Sequence, residues 1–227
     1  MSVFYTNNIK EVNGFNSSSN QLAILKRKIP KDADLFFKKI MKSSLGIAGD
    51  VYKKTATNDI KKILDNEIQK KIQDDPFYET WINDMSDLCQ TFCSIEKSKS
   101  VSFWISSQRG CRRYHVDNVP RRLLVTYAGQ GTEWLPDEAV NREAYVNGEP
   151  NENILKDNSA KKFINKWDVA IFKGGPKGLL HRTPDIALKD NSILMRLDYP
   201  GFWKKFKSKV CKTKLKPKYK HNEKLNS

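Results

Sequence analysis

The sequence predicts an α+β fold in which helices come first and a small antiparallel barrel or jelly roll follows. Apolar residues recur at helical spacing between about residues 32 and 99, and from Val101 onward they alternate as in strands. The connections between the predicted strands are too short for the crossovers that parallel strands need, so the sheet is expected to be antiparallel. We expect the helices to pack on the outside of the barrel.

Length and composition indicate one folding unit of 227 residues, 38% of them hydrophobic. We divide it into a poorly structured N-terminal segment (1–31), a helical region packed on the barrel (32–99), a β-rich metal-binding core (100–203) and a basic, disordered tail (204–227). No apolar run could span a membrane and no signal peptide is recognisable, so a cytoplasmic location without membrane contact is expected. Four cysteines form no disulfide framework.

Three helices are predicted in the N-terminal half. The first begins near Asp32, and the second spans about residues 58–72, where isoleucines and Leu64 form one apolar stripe. The third has the clearest signals, because Asp75 can cap it and Pro76 suits its first turn. Cys89 and Cys93 then lie one helical turn apart, a spacing that suits core packing better than metal binding because no histidine is near in sequence.

Strands are predicted around residues 101–105, 121–128, 167–172 and 192–199, with a further one at His181. The polar stretch from Asp137 to about Asn165 is expected to form a rim loop with a short helical piece near residues 158–163. The glycine-rich Gly174–Gly178 stretch is expected to turn the chain into the His181 strand.

His115, Asp117 and His181 are the candidate metal ligands and catalytic residues. His115 and Asp117 are two residues apart, so on a strand both side chains leave the same face. His181 lies far enough along the chain to reach the same cavity from another strand. Two histidines and one carboxylate on one side of a metal are typical of non-haem Fe(II) oxygenases, which leave the opposite positions open. Polar core residues that only form hydrogen bonds are the alternative.

Arg196, on the strand after His181, is the candidate to bind the carboxylate of a 2-oxoacid co-substrate. Tyr127 could present its hydroxyl to the ligand, although packing is the commoner role of a strand tyrosine. Arg182 is a lower-ranked candidate, because a neighbour of His181 should face the other way. Cys111 could add a soft ligand that favours zinc, and Glu133 could line the cavity mouth.

The chain contains five motifs: Arg113-Tyr114-His115-Val116-Asp117-Asn118-Val119-Pro120, Arg122-Leu123-Leu124-Val125-Thr126-Tyr127, Gly131-Thr132-Glu133-Trp134-Leu135-Pro136, Asp168-Val169-Ala170-Ile171-Phe172-Lys173-Gly174 and His181-Arg182-Thr183-Pro184. Together they resemble domain-of-unknown-function family 1826, an uncharacterised bacterial family. The resemblance covers about residues 75–200. It names no activity, but the family's association with zinc-responsive gene neighbourhoods implies a role in metal homeostasis.

More distantly, the order of His115, Asp117, His181 and Arg196 is similar to that in the double-stranded β-helix (cupin-like) fold of Fe(II)/2-oxoglutarate dioxygenases. This implies an iron-dependent oxygenase with 2-oxoglutarate as co-substrate and an unknown prime substrate, a small molecule or a protein. Arg196 departs from that pattern, because Leu197-Asp198 follows it and its distance from His181 is longer than usual.

Two alternatives remain open. The first is a non-catalytic cupin-like protein that binds zinc or another metal. The second is a nucleic-acid-binding module that acts through the tail, since residues 204–227 hold ten lysines and one acid, nine of the chain's fifteen net positive charges. A solvated lysine-rich tail without a partner is the simpler interpretation of that segment.

Overall fold

The computed structural model describes residues 3–203, so the predictions for the basic tail lie outside the described residues. The helices are α1 (Ala33–Ile40), α2 (Ala56–Leu64), α3 (Lys70–Gln73), α4 (Pro76–Ile95), α5 (Arg142–Val146), α6 (Asn151–Ile154) and α7 (Asp185–Lys189), with 3-10 helices at Ile9–Ser17, Asp137–Ala139 and Asn158–Ala160. The strands are β1 (Val3–Thr6), β2 (Leu22–Leu25), β3 (Gly46–Tyr52), β4 (Ser100–Ser106), β5 (Arg121–Ala128), β6 (Glu133–Trp134), β7 (Lys162–Phe163), β8 (Val169–Lys173), β9 (His181–Arg182) and β10 (Ile193–Asp198). Within this range no helix has both the length and the apolar character needed to cross a bilayer.

Two sheets form the β structure. The large sheet has seven strands in the order β1-β2-β8-β5-β10-β4-β3, and every neighbouring pair is antiparallel except β1 with β2. The small sheet has the order β7-β6-β9, and an isolated bridge joins His115 to His181 beside it. The prediction of a mixed fold with a largely antiparallel sheet is therefore confirmed.

The two faces of the large sheet have different neighbours, because side chains alternate along each strand. On one face, residues such as Leu123, Val125 and Met195 share a core with α1, α2 and α4. On the other face, Leu124 and Leu194 pack with residues of the small sheet and the loops next to it. The space between the two sheets holds the candidate site.

Helix α4 begins as its sequence predicts. The Asp75 side chain accepts a hydrogen bond from the Phe77 N–H at 2.9 Å, and Pro76 occupies the first turn. Its apolar stripe, which includes Trp81 and Leu88, is fully buried. Cys89 and Cys93 are buried on the same helix, in line with core packing.

The structure corrects four predictions about secondary structure. In the N-terminal segment predicted to be poorly structured (1–31), the described residues 3–31 include β1 and β2, which extend the large sheet, and β2 pairs with β8. The helical region contains a strand, β3, which lies at the edge of the sheet beside β4. The single helix predicted over 58–72 is two helices, and the helical piece near 158–163 is a 3-10 turn followed by β7. Strands β2, β3 and β7 form their hydrogen bonds with strands that are distant in sequence, and local sequence patterns do not reveal such partners.

Candidate metal centre

The backbone brings His115 and His181 side by side. Each donates its N–H to the carbonyl of the other, at 3.1 Å from His115 and 3.0 Å from His181. The centroids of the two imidazole rings are 4.5 Å apart. One nitrogen or oxygen from each of His115, Asp117 and His181 lies within 4.8 Å of the others, so the structure places the three predicted ligands together.

Both imidazoles are oriented by backbone carbonyls. Nδ1 of His115 lies 3.0 Å from the carbonyl oxygen of Arg113, and Nδ1 of His181 lies 3.1 Å from that of Leu179. A carbonyl oxygen only accepts, so in each neutral ring Nδ1 carries the hydrogen and Nε2 keeps its lone pair. This is the arrangement by which metal-binding histidines are held in one tautomer and orientation.

Asp117 is buried between these rings. Its Oδ1 accepts a hydrogen bond from Arg122 and lies 3.9 Å from His115 Nε2, while Oδ2 lies 3.4 Å from His181 Nε2. Burial raises the pKa of Asp117, but the interaction with His181 and the charge of Arg122 outweigh it and hold the pKa well below its ordinary value. The carboxylate therefore stays ionised.

The three side chains fit a divalent cation. Asp117 Oδ2 is buried and has no hydrogen-bond partner among residues 3–203, and one ligand atom of each residue lies within 4.8 Å of the other two. A proton on His181 can pair with this carboxylate, whereas two neutral rings leave three acceptors that a cation would compensate. Ligands 2.0–2.2 Å from one ion in neighbouring positions lie about 3 Å apart, so the side chains would move closer together on binding an ion than the 3.4 and 3.9 Å between the imidazole nitrogens and the carboxylate.

His115 and His181 line a cavity of about 80 Å³ between the two sheets. The residues lining it are Trp104, Arg109, Gly110, Cys111, His115, Arg122, Leu124, Thr132, His181, Arg182, Thr183, Leu194 and Arg196. Four of these are arginines, so the cavity suits an anionic ligand.

Arg196 lines the cavity as predicted, but its charge is already engaged. Its Nε lies 2.5 Å from Oδ2 of Asp198, which is fully buried, and its guanidinium lies 4.6 Å from the Phe202 ring centroid and 5.0 Å from that of Trp203. Because Arg196 and Asp198 lie two residues apart on β10, they share a face of the strand. Asp198, from the same strand, therefore competes with a co-substrate carboxylate for Arg196, which argues against the predicted role of Arg196.

Tyr127 corrects another prediction, because it lies on the helix-facing side of the large sheet. It is fully buried, its hydroxyl donates to Asp84 at 2.7 Å, and its ring stacks on Phe37. It does not line the cavity, so it cannot contact a ligand there. Its neighbours Arg122 and Leu124, on the opposite face of β5, take that position.

Arg182 lies in the cavity wall rather than facing away from His181, but a carboxylate on each side binds it. Its Nε lies 2.9 Å from Glu133 and its Nη1 lies 3.0 Å from Asp185. Glu133 also accepts a hydrogen bond from the buried Tyr114 hydroxyl. Glu133 is therefore buried within this network and does not serve as a solvated group at the cavity mouth.

Cys111 is exposed at the cavity wall. A hydrogen bond with His115 lowers the pKa of its thiol, and this outweighs the opposite effect of the partial loss of hydration at the cavity wall. A thiol in this position could serve as an additional donor to a soft metal.

The sequence analysis missed Arg109, Arg122 and Asp198. Arg122 contacts both Asp117 and Asp198, so it links the triad to β10. The position of Arg122 in the sequence indicates that its side chain shares a face of β5 with Leu124 and lies on the face opposite to Tyr127. Which face of β5 meets the cavity, however, cannot be identified without the tertiary structure.

A family model described as a protein of unknown function, DUF1826, matches residues 7–198. No curated protein matches the sequence significantly. Among solved structures, a 2OG-Fe(II) oxygenase family oxidoreductase from Burkholderia pseudomallei aligns with 87% of this chain and 94% of its own, with 8% identity and a TM-score of 0.37. A BsmA homologue from Methylobium petroleophilum aligns with 58% of this chain and 53% of its own, with 11% identity and a TM-score of 0.29. TM-scores this low assign neither a fold nor an activity.

Proposed function

We propose that this chain, which belongs to the DUF1826 family of proteins of unknown function, is a non-haem Fe(II)- and 2-oxoglutarate-dependent oxygenase. The observation that carries the proposal is that one ligand atom from each of His115, Asp117 and His181 lies within 4.8 Å of the others, beside an arginine-lined cavity, and that Asp117 Oδ2 has no hydrogen-bond partner among the described residues. A triad that occupies one side of a metal leaves its other positions for ligands, which is the requirement of this class of enzyme.

Iron(II) held by these residues, together with a 2-oxoacid, would supply oxidative chemistry that amino-acid side chains lack. The protein's own contribution is to hold the ligands and to present the cavity. The carbonyls of Arg113 and Leu179 fix the two rings, and Arg122 holds Asp117 from the side. The arginines of the cavity wall would attract and orient an anionic co-substrate.

The order of the strands supports a double-stranded β-helix. In the large sheet β4, β10, β5 and β8 are neighbours, and in the small sheet the His115 bridge, β9, β6 and β7 are neighbours in that order. From β4 onward, the chain runs through β4 in the large sheet, the His115 segment in the small one, β5 in the large one, β6 and β7 in the small one, β8 in the large one, β9 in the small one and β10 in the large one. Two four-membered sheets joined in this way are the pattern of a jelly roll, and the metal ligands then lie inside it.

A second function, non-catalytic zinc or metal handling, is favoured by one observation. Cys111 places a thiol of lowered pKa in hydrogen-bond contact with His115. A Cys–His–Asp–His set would suit zinc, whereas a His–Asp–His set with open positions suits iron.

Metal analysis and turnover separate the two functions. Protein purified under anaerobic conditions is expected to hold about one Fe(II) per chain, to lose it in His115→Ala and to keep it in Cys111→Ser. With Fe(II) and ascorbate, it is expected to convert 2-oxoglutarate to succinate. Metal content unchanged by His115→Ala would refute the triad, and tight zinc binding that requires Cys111 without turnover would favour metal handling.

A further inference from the structure

Arg109, between β4 and the His115 segment, differs from the other arginines of the cavity. Arg122, Arg182 and Arg196 each contact at least one carboxylate. The Arg109 guanidinium instead donates to two neutral acceptors, the carbonyl oxygen of Gln130 at 2.7 Å and the hydroxyl of Thr132 at 2.9 Å. Among the residues that the structure describes, no carboxylate pairs with it.

Arg109 is half-buried, and a guanidinium that loses hydration without gaining an anion carries an energetic cost. Its Nε is buried and has no hydrogen-bond partner within residues 3–203. Burial lowers the pKa of Arg109 to about 10, the direction expected when no counter-charge compensates the lost hydration. The group still carries its charge near neutral pH, so a carboxylate that enters the cavity gains a charge-assisted contact and removes the cost.

The charges of the site point the same way. Arg122, Arg182 and Arg196 meet four carboxylates, Asp117, Asp198, Glu133 and Asp185, so with Arg109 the charges of the site balance before any metal binds. A divalent ion at the triad would then leave the site with two excess positive charges. A dianionic ligand would compensate both, whereas a neutral ligand would compensate none.

The position of Arg109 assigns it to the end of the ligand away from the metal. Arg109 lines the same cavity as His115 and His181, and its hydrogen bonds to Gln130 and Thr132 attach it to the connection between β5 and β6 rather than to the triad. We propose that Arg109, rather than Arg196, binds the distal carboxylate of a 2-oxoacid co-substrate. This inference rests on the proposed function.

The experiment measures equilibrium binding to protein loaded with Zn(II) in place of Fe(II), so that no turnover occurs. The ligands are 2-oxoglutarate and pyruvate, which share the 2-oxoacid end but differ in the distal carboxylate. In Arg109→Met the Kd for 2-oxoglutarate should rise by about 10- to 100-fold, the usual worth of a hydrogen-bonded charge pair, while the Kd for pyruvate stays within about twofold. Arg109→Lys should give an intermediate loss, since it keeps the charge without the planar fork.

Arg112→Met is the matched control, because Arg112 is exposed and its side chain does not line the cavity. It should leave both dissociation constants unchanged. The proposal is overturned if Arg109→Met weakens both ligands equally or neither, if Arg196→Met alone abolishes the preference for 2-oxoglutarate, or if the unaltered protein binds neither ligand. The zinc content of each preparation reports separately on the triad, so a failure of Arg109 is distinguishable from a failure of the proposed function.

Discussion

Gly174, in the turn after β8, is predicted to set the position of the Asp117 carboxylate. The Gly174 N–H donates to the Pro120 carbonyl at 3.1 Å, so the turn lies directly against the segment that carries Asp117. A Cβ at Gly174 would lie 1.9 Å from the carbonyl oxygen of Val119 and 2.4 Å from that of Asp117. Carbon and oxygen atoms approach to about 3.3 Å, so Gly174→Ala must separate the two segments by more than about 1 Å.

The consequence should be a loss of both metal affinity and stability. Ligand distances tolerate only about 0.2 Å, so a 1 Å displacement of Asp117 takes its carboxylate out of position. We expect metal affinity to fall by at least about 10- to 100-fold, the loss typical when the support of a ligand is removed. The free energy of unfolding should fall by about 1–3 kcal/mol, the usual cost of overpacking.

Gly175→Ala is the matched control. Gly175 has a φ of 86°, and a Cβ there would meet no atom within 4 Å. Alanine in this left-handed conformation costs about 1–2 kcal/mol but displaces nothing, so metal affinity should be retained. Titration calorimetry with Zn(II) measures affinity, and urea unfolding measures stability. Equal metal affinity in the two variants would refute the reasoning.

Three further predictions concern residues outside the triad. Asp75→Ala should lower the free energy of unfolding by about 1 kcal/mol. Because Lys39 holds the pKa of Asp75 below its ordinary value, urea unfolding should show this difference above pH 4, and the difference should disappear as the pH falls through the folded-state pKa. A difference that grows in acid would contradict the assignment. Tyr127→Phe should lower the free energy of unfolding by about 1–3 kcal/mol, measured by thermal or urea unfolding, because Asp84 loses a hydrogen-bond donor. The Kd for 2-oxoglutarate should stay unchanged, and weaker binding would indicate that Tyr127 contributes to the ligand site. In metal-free protein, Cys111 should be alkylated before the two buried cysteines of α4, whose thiol pKa is raised by burial, and peptide mass spectrometry that found the reverse order would contradict the packing.

Local signals in the sequence account for the elements that were predicted well. Helix α4 begins at Pro76 because Asp75 caps it and proline suits its first turn, and both effects act within a few residues. Strands β5 and β10 carry long β-branched and apolar runs, so their existence was predictable as well. In contrast, β1 and β2 are only four residues long; β2 depends on pairing with β8, more than 140 residues later, and β1 pairs with β2.

The sequence by itself determined which residue types could hold a metal, and the two-residue spacing of His115 and Asp117 placed them in one neighbourhood. Only the tertiary structure decided that His181 joins them, because the bridge that aligns the two histidines spans 66 residues of chain. The tertiary structure also decided which positively charged side chains are available to a ligand. Asp198 engages Arg196 while Arg109 has no carboxylate within the described residues, and that compensation of charge depends on contacts in space.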